Sequence, residues 1–190
     1  SGTLADVLAF ELRSSYAPEF GSIRRFLILL KSIDTLVVLD HLQQGRKPVT
    51  PVCYLHFNNL RHNAVLKSQK DGWLYRHPLQ SLRLHVGGSM PVETGVEKGY
   101  IVSDLASIWN EAAQEKEQEK GNAFKFHYSS KIPVSNGILY AVLSWGKEAE
   151  VPVFQQEMLT INPFTIRLEA KGITVSGGER RESFLICQVF

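Results

Sequence analysis

The sequence predicts an α+β fold of two ferredoxin-like β-α-β-β units, each with helices packed on one face of a sheet. Three observations predict it. Strand-like alternation and helix-like spacing occur in the order strand, helix, strand, strand. The same order recurs about 115 residues later. The chain has 190 residues, of which 44% are hydrophobic and 21% are charged, so it can bury a core.

The first unit occupies residues 1–60 and begins with a half-buried strand. Residues 4–16 alternate, with Leu8, Phe10 and Leu12 on one face and Glu11 and Arg13 on the other. A helix is predicted from Ser22, a plausible N-cap, because apolar residues follow at helical spacing. They are Ile23, Phe26, Leu27 and Leu30. Two strands complete the unit, TLVVLDHL and the alternating run Cys53, Leu55, Phe57.

Residues 61–100 are rich in glycine and proline and predict a turn-rich connection with short strands. The clearest strand in this segment is LRLHV, from Leu82 to Val86, and an exposed hairpin is also expected. This segment matches neither unit.

Residues 101–190 predict a helix followed by the second unit and a C-terminal strand. The helix runs from Ser103 to Lys120 and ends before Gly121, a natural C′ residue. A strand follows from Phe124, then a helix capped by Ser135, then a strand beginning at Val151. The run FTIRLEAKGITV is the cleanest amphipathic strand, and SFLICQVF closes the chain.

The two units align residue by residue if the halves are structural duplicates. The alignment places Phe124, Phe126, Ile138, Val142 and Trp145 where the first half has equivalent apolar residues. The equivalents are Phe10, Leu12, Ile23, Leu27 and Leu30.

Two cysteines, Cys53 and Cys187, lie in apolar alternating runs. Two cysteines alone do not make a metal site. Buried strand thiols are the favoured interpretation. A single disulfide between neighbouring strands is the alternative, and it would place the chain in an oxidising compartment.

No motif in the sequence announces a reaction, a cofactor or a metal. The phosphate-binding, dinucleotide-binding and zinc-protease patterns are absent. The six histidines are scattered, and the strand histidines His56, His85 and His127 lie on polar faces. We therefore expect no cofactor and no metal site, and we assign no catalytic residue.

Nucleic-acid binding, or an endoribonuclease built on tandem ferredoxin-like units, is the alternative function. Its phosphate contacts would come from the compact basic spots, with a histidine as acid–base. These residues are Arg24, Arg25, Lys31, Arg180 and Arg181. The net charge of only +2 and the missing Lys/Arg-Gly-aromatic signature argue against it.

The stretches GSIRRFLILLKSIDTLVVLDHL and, more faintly, NGILYAVLSWGKEAEVPVFQQEML carry a family resemblance. They resemble the periplasmic ferredoxin-like modules of type IV pilus and type II secretion inner-membrane assembly proteins. The resemblance implies a scaffold in the cell envelope that dimerises through sheets and helices. That family also carries a membrane helix and a coiled coil, which this sequence lacks.

The function expected from the sequence is therefore that of a non-enzymatic scaffold or interaction protein. Its partner would be another protein or a second copy, bound by sheet and helix contacts. No apolar run reaches the length of a membrane span. If the resemblance holds, the chain lies in the periplasm or cell envelope; otherwise we expect a cytoplasmic protein.

Overall fold

The computed structural model describes residues 2–11, 21–43, 47–59, 61–99, 122–145 and 151–186. These residues form fifteen β-strands and no helix. The strands are β1 (Ala5–Glu11), β2 (Ser22–Leu30), β3 (Thr35–Gln43), β4 (Val52–Asn58), β5 (Val65–Gln69), β6 (Gly72–His77), β7 (Gln80–Gly88), β8 (Val92–Gly99), β9 (Ala123–Ser130), β10 (Gly137–Ser144), β11 (Val153–Gln155), β12 (Met158–Ile161), β13 (Phe164–Glu169), β14 (Gly172–Gly177) and β15 (Arg180–Leu185).

The strands pair antiparallel in three sheets. A seven-stranded sheet has the order β1-β2-β3-β10-β7-β6-β5. A five-stranded sheet follows chain order from β11 to β15, and a three-stranded sheet has the order β4-β9-β8. The seven-stranded sheet is the middle layer, because each of its faces packs on one of the other sheets.

Two hydrophobic cores separate the layers. The first joins β1, β2, β3 and β10 to the five-stranded sheet and includes Phe26, Val37, Tyr140 and Ile166. The second joins β3, β10, β7 and β6 to the three-stranded sheet and includes Val38, Leu84, Leu139 and Phe126. Successive residues of a strand point to opposite faces, so Val37 and Val38 enter different cores.

The helix predicted from Ser22 is wrong, and the residues form β2. Phe26, Ile28 and Leu30 face the first core, whereas Leu27 packs on the second. A strand with apolar residues on both faces loses its period of two, and its apolar positions then match helical spacing by coincidence. The helix predicted from Ser135 fails for the same reason, since all of residues 138–142 in β10 are buried.

The α+β fold of two ferredoxin-like units is therefore wrong: the described chain is all-β. The internal repeat fails with it, because β10 of the second predicted unit pairs with β3 of the first, in one sheet. Phe10 lies on the edge strand β1, whereas Phe124 lies on β9, the central strand of the three-stranded sheet. The helix predicted at 103–120 lies outside the described residues, and the boundaries near residues 60 and 100 stay a prediction.

A buried polar network ties the middle layer to the three-stranded sheet. Arg25 on β2 and Asp40 on β3 are cross-strand partners, and the guanidinium donates two hydrogen bonds to the carboxylate, at 2.7 and 2.8 Å. The side chain of Asp40 is only 3% exposed. Cys53 of β4 donates its thiol to Asp40 Oδ2 at 3.1 Å, and Tyr128 of β9 pairs with Cys53. The network therefore satisfies a charge that would otherwise be costly to bury.

The protonation states of the network follow from its burial. The hydrogen bonds that Arg25 donates to the Asp40 carboxylate raise the pKa of Arg25. Burial, together with the nearby Asp40 carboxylate, raises the pKa of the Cys53 thiol to about 12. The expectation of a buried strand thiol is confirmed for Cys53, which is free; Cys187 lies outside the described residues. A neutral thiol is a weak nucleophile, so Cys53 acts here as a hydrogen-bond donor.

The two outer sheets are narrower than the middle one and are offset from each other. The five-stranded sheet leaves one face of β5, β6 and β7 open, since the first core contains no residue of these strands. On the opposite face, the three-stranded sheet does not reach β1, where Leu8 and Phe10 are exposed. The middle sheet therefore has open areas at two diagonally opposite corners.

Replacing Asp40 by Asn should destabilise the protein by about 2–3 kcal/mol, because it leaves the partly buried Arg25 guanidinium without a counter-charge. The estimate is below the usual range for a buried pair because the Arg25 side chain is 34% exposed. Urea denaturation measures the change. Glu97→Gln, which removes the exposed Lys125–Glu97 pair, is the matched control and should cost less than about 1 kcal/mol. Equal losses in both variants would show that the network does not hold the layers together.

Candidate functional site

The open face of β5, β6 and β7 carries a group of basic side chains. The alternate residues of these strands enter the second core, which places Lys67, Arg76 and Arg83 on the opposite, open face. The register sets Lys67 opposite Leu74, and Leu74 opposite Arg83. Neighbouring strands are about 4.8 Å apart, so Lys67 and Arg83 lie about 10 Å apart on one line across the sheet.

The cations of this surface form no salt bridge with any described residue, although Asp71 follows Lys70 in the chain. Lys67, Lys70, Arg76 and Arg83 are exposed, and no salt bridge within the described ranges involves them. None of the residues that the three strands place on the open face is acidic. We call Lys67, Lys70, Arg76 and Arg83 the basic face. It attracts anions, and strand pairing on both sides of β6 holds its positions rigid.

The β5–β6 turn ends the basic face and opens a cleft. Lys70 and Asp71 form the two-residue turn, and Gly72 follows with φ of +143°. A side chain at position 72 would meet the Leu84 carbonyl oxygen and the His85 ring, so only glycine permits this close approach. β7 continues past the turn to Gly88, and the space beyond β6 is therefore left open.

The cleft has a volume of about 350 Å³ and continues into a hollow of about 200 Å³ on the side of Lys70 and Arg83. Trp73 forms one wall, fixed by an edge-to-face contact with Phe126 at 5.3 Å. Tyr140 forms another, with its hydroxyl beside Gly87, which has no side chain to block it. Besides Trp73 and Tyr140, the polar side chains of the lining are Ser68, Gln69, Asp71, His85 and Thr94.

His85 lies between the basic face and the cleft. Burial lowers its pKa, and the nearby Arg83 acts in the same direction. A hydrogen bond to the Asp71 backbone and the Asp71 carboxylate act in the opposite direction. Its Nε2 atom is buried without a hydrogen-bond partner among the described residues. Burial therefore favours the neutral imidazole at pH 7, and the ring forms part of the floor of the cleft.

The structure separates the basic residues that the sequence suggested as phosphate contacts. Arg24 and Arg25 are consecutive in β2 and point to opposite faces of the middle sheet. Arg24 donates to the Ala170 carbonyl at 2.9 Å, next to the five-stranded sheet. Arg25 is occupied by Asp40 on the other face.

The remaining three suggested residues lie elsewhere. Lys31 Nζ is 3.1 Å from Asp6 Oδ1 and donates to the Gly2 carbonyl. Arg180 and Arg181 are exposed on β15, the edge of the five-stranded sheet, and Arg181 is 3.8 Å from Glu169. The five residues therefore form no common surface.

Sequence reasoning missed the basic face because its members are spread from Lys67 to Arg83, 16 residues apart, and no two of them are adjacent in sequence. Compact basic runs such as IRRF were predicted to make the phosphate contacts instead. The available signal was the alternation in VLKSQKDGWLYRHPLQSLRLH, which contains two hairpins. A turn at KDG and another at PLQ would have set Lys67 and Arg83 on one face.

A second polar cluster lies on the outer face of the three-stranded sheet. Lys125 Nζ lies 4.6 Å from the centre of the Tyr54 ring and 3.3 Å from Glu97. His127 Nδ1 is 3.6 Å from the same carboxylate. Its charges are mutually paired, so this cluster offers no unpartnered charge. No group of three or more potential metal ligands occurs in the part of the chain that the structure describes.

The fold resembles part of known polysaccharide lyases. Heparan sulfate lyase HepC from Pedobacter heparinus (a mutant) matches over 98% of this chain and 26% of its own length, with a TM-score of 0.51 and 13% identity. A heparinase III matches over 96% of this chain and 26% of its own, with a TM-score of 0.54 and 14% identity. The chain thus spans about a quarter of these enzymes. No family profile and no curated protein sequence matches it.

The resemblance to pilus and secretion assembly modules is wrong. The structural matches are to a β-sheet domain of heparan sulfate lyases, and the helices that the pilus resemblance required are strands β2 and β10. The described ranges hold no helix that is long and apolar enough to cross a membrane.

His85 should titrate below its ordinary pKa of 6.5, and Arg83→Gln should raise that pKa by removing a like charge. Because the folded state favours neutral His85, its contribution to stability is complete above pH 6.5 and falls as the pH drops towards the lowered value. NMR titration of the imidazole measures both effects. Arg76→Gln, one row further along the face, is the control and should shift the pKa less. A His85 that titrates at or above 6.5 in the wild type would contradict this description.

Proposed function

We propose that this chain is a non-enzymatic binding domain that holds an anionic polysaccharide on the basic face of its middle sheet. The observation that carries the proposal is the set of unpaired cationic side chains on a rigid, open sheet surface. Such a set binds a polyanion through many modest contacts, each strengthened by release of condensed counterions.

The fold supports this choice of polyanion. The chain matches an all-β quarter of enzymes that are named for cleaving heparan sulfate and heparin. At 13–14% identity the match concerns the fold, and the proposal extends it to a ligand because the basic face fits an anionic chain. We assign binding because the observation that carries the proposal is a set of cationic side chains, and such a set supports attraction of a polyanion.

The geometry favours a polysaccharide over nucleic acid. Binding of single strands uses aromatic side chains on which bases stack. On β5, β6 and β7 the aromatic residues Trp73 and Tyr75 point into the second core, and the position between Lys67 and Arg83 is taken by Leu74. The basic face itself thus supplies charge without a stacking surface, and the partly buried Trp73 lines only the cleft at the β5–β6 turn.

A protein partner or a second copy stays a prediction for the opposite corner of the middle sheet. Leu8 and Phe10 on edge strand β1 are 61% and 44% exposed. Large apolar side chains on a sheet edge are typical of contact surfaces. This corner is separate from the basic face, so the two contacts would be compatible.

Binding to heparan sulfate should weaken when cations are removed from the basic face. The double variant Lys67→Gln, Arg76→Gln should bind less tightly. The slope of log affinity against log salt concentration should become shallower by up to about 1 for each lost contact. Titration calorimetry at several salt concentrations measures affinity and slope.

The double variant Arg180→Gln, Arg181→Gln removes the same net charge from β15 and is the matched control. It should bind like the wild type. Equal weakening in both variants would show a response to net charge alone and would overturn the assignment to the basic face. Absence of wild-type binding at low salt would overturn the function, and a clear preference for RNA or DNA would assign the surface to nucleic acid.

A further inference from the structure

We propose that the cleft at the β5–β6 turn holds one sugar unit of the bound polysaccharide, with the anionic group of that unit towards Lys70 and Arg83 and a hydroxyl group on the Asp71 carboxylate. The inference rests on the proposed function and adds a specific contact to it. With this contact the domain would recognise the structure of the sugar as well as its charge.

The shape of the cleft fits a single ring attached to a longer chain. Its volume of about 350 Å³ lies within the range of small-molecule sites. The adjoining hollow shares Asp71, Gly72 and His85 with it and extends to Lys70 and Arg83. A chain that crosses the basic face can therefore enter the cleft without leaving the cationic surface.

The chemistry of the lining fits a sugar ring. A pyranose has C–H groups that contact an apolar surface and hydroxyl groups around its edge. Trp73 supplies the apolar wall, and its contact with Phe126 fixes the indole in place. Gln69, Ser68 and Thr94 supply neutral hydrogen-bonding groups around it. In a partly apolar cleft, a small number of convergent polar groups orient a small ligand.

Asp71 distinguishes this site from a simple patch of positive charge. Asp71 lines both parts of the cleft, directly after Lys70 in the chain, and Arg83 lines the adjoining hollow. A surface that attracted polyanions by charge alone would bind them better without this carboxylate. A carboxylate that accepts a hydrogen bond from a sugar hydroxyl has the opposite effect, because charged acceptors form the stronger hydrogen bonds.

The variant Asp71→Asn separates the two cases by the sign of its effect. Asn is nearly the size of Asp, both residues favour turns, and φ at position 71 is not positive, so the variant should fold. With a heparan sulfate hexasaccharide as the probe, we expect about tenfold weaker binding, because one charge-assisted hydrogen bond is lost. The salt dependence of binding should keep the same slope. Binding that becomes tighter in Asp71→Asn would overturn the inference.

A second variant and a second probe keep the test independent of folding and of polymer charge. Gln69→Ala changes no charge and should also weaken binding severalfold, whereas Glu97→Gln on the outer face of the three-stranded sheet should have no effect. An unsulfated hexasaccharide of the same backbone should show the same ratio of affinities between wild type and Asp71→Asn.

The outcomes separate the two proposals. If the double variant Lys67→Gln, Arg76→Gln weakens binding but Asp71→Asn and Gln69→Ala do not, the cleft inference fails and the proposed function stands. If the wild type binds neither probe, the proposed function fails, and the cleft inference that rests on it fails too.

Discussion

The described fold depends on the burial of both faces of β3 and β10 at the centre of the seven-stranded sheet. Val37 and Val38, and Tyr140 and Leu139, are neighbours in sequence that enter different cores. The centre of the sheet therefore cannot form stably without the sheet on each side of it. Each fully buried aliphatic or aromatic side chain contributes about 1.5–3 kcal/mol relative to exposure, so both interfaces are needed to offset the entropy of ordering so many strands.

The polar network of Arg25, Asp40 and Cys53 fixes how the three-stranded sheet sits on the middle sheet. Hydrophobic contact between two sheets is not directional and tolerates sliding, whereas Asp40 accepts from Arg25 within its own sheet and from Cys53 across the interface. Tyr128 closes the network beside Cys53. A displaced sheet would leave the buried carboxylate with its Arg25 hydrogen bonds but without its thiol donor, and the loss of a buried hydrogen bond costs free energy. The position of the three-stranded sheet is thereby fixed, and with it the open area at β1.

The two open corners have opposite chemistry, and this connects the fold to the proposed function. At β1 the exposed side chains are apolar, as at Leu8 and Phe10. At β5, β6 and β7 they are cationic and lie next to a cleft with an aromatic wall and a carboxylate. One corner is suited to protein contact, and the other to an anionic chain. The narrow outer sheets are what make both surfaces available on a single rigid layer.

How much could be predicted from the sequence depends on whether a strand has one buried face or two. The run FTIRLEAKGITV was predicted as one strand, and its alternation holds for β13 (Phe164–Glu169), which has one polar face. The chain turns after Glu169, so the rest of the run belongs to β14. β2 and β10 are apolar on both faces, and single-sequence periodicity does not distinguish such strands from helices. The basic face required the register of Lys67, Leu74 and Arg83 across three strands, which is set by two turns and by burial of the alternate residues. Arg24 and Arg25 point to opposite faces of the sheet because β2 is a strand, and the helix predicted for these residues did not show this.

Hydrogen exchange of backbone amides with and without heparan sulfate tests the central claim most directly, because it locates the ligand without altering the protein. Added polysaccharide should slow exchange in residues 65–88, most strongly at the Lys70–Gly72 turn, and leave β1 and β15 unchanged. Slower exchange confined to β15 or to β1 and β2 would place the ligand elsewhere and contradict the account. Unchanged exchange along the whole chain under conditions of measured binding would contradict it equally.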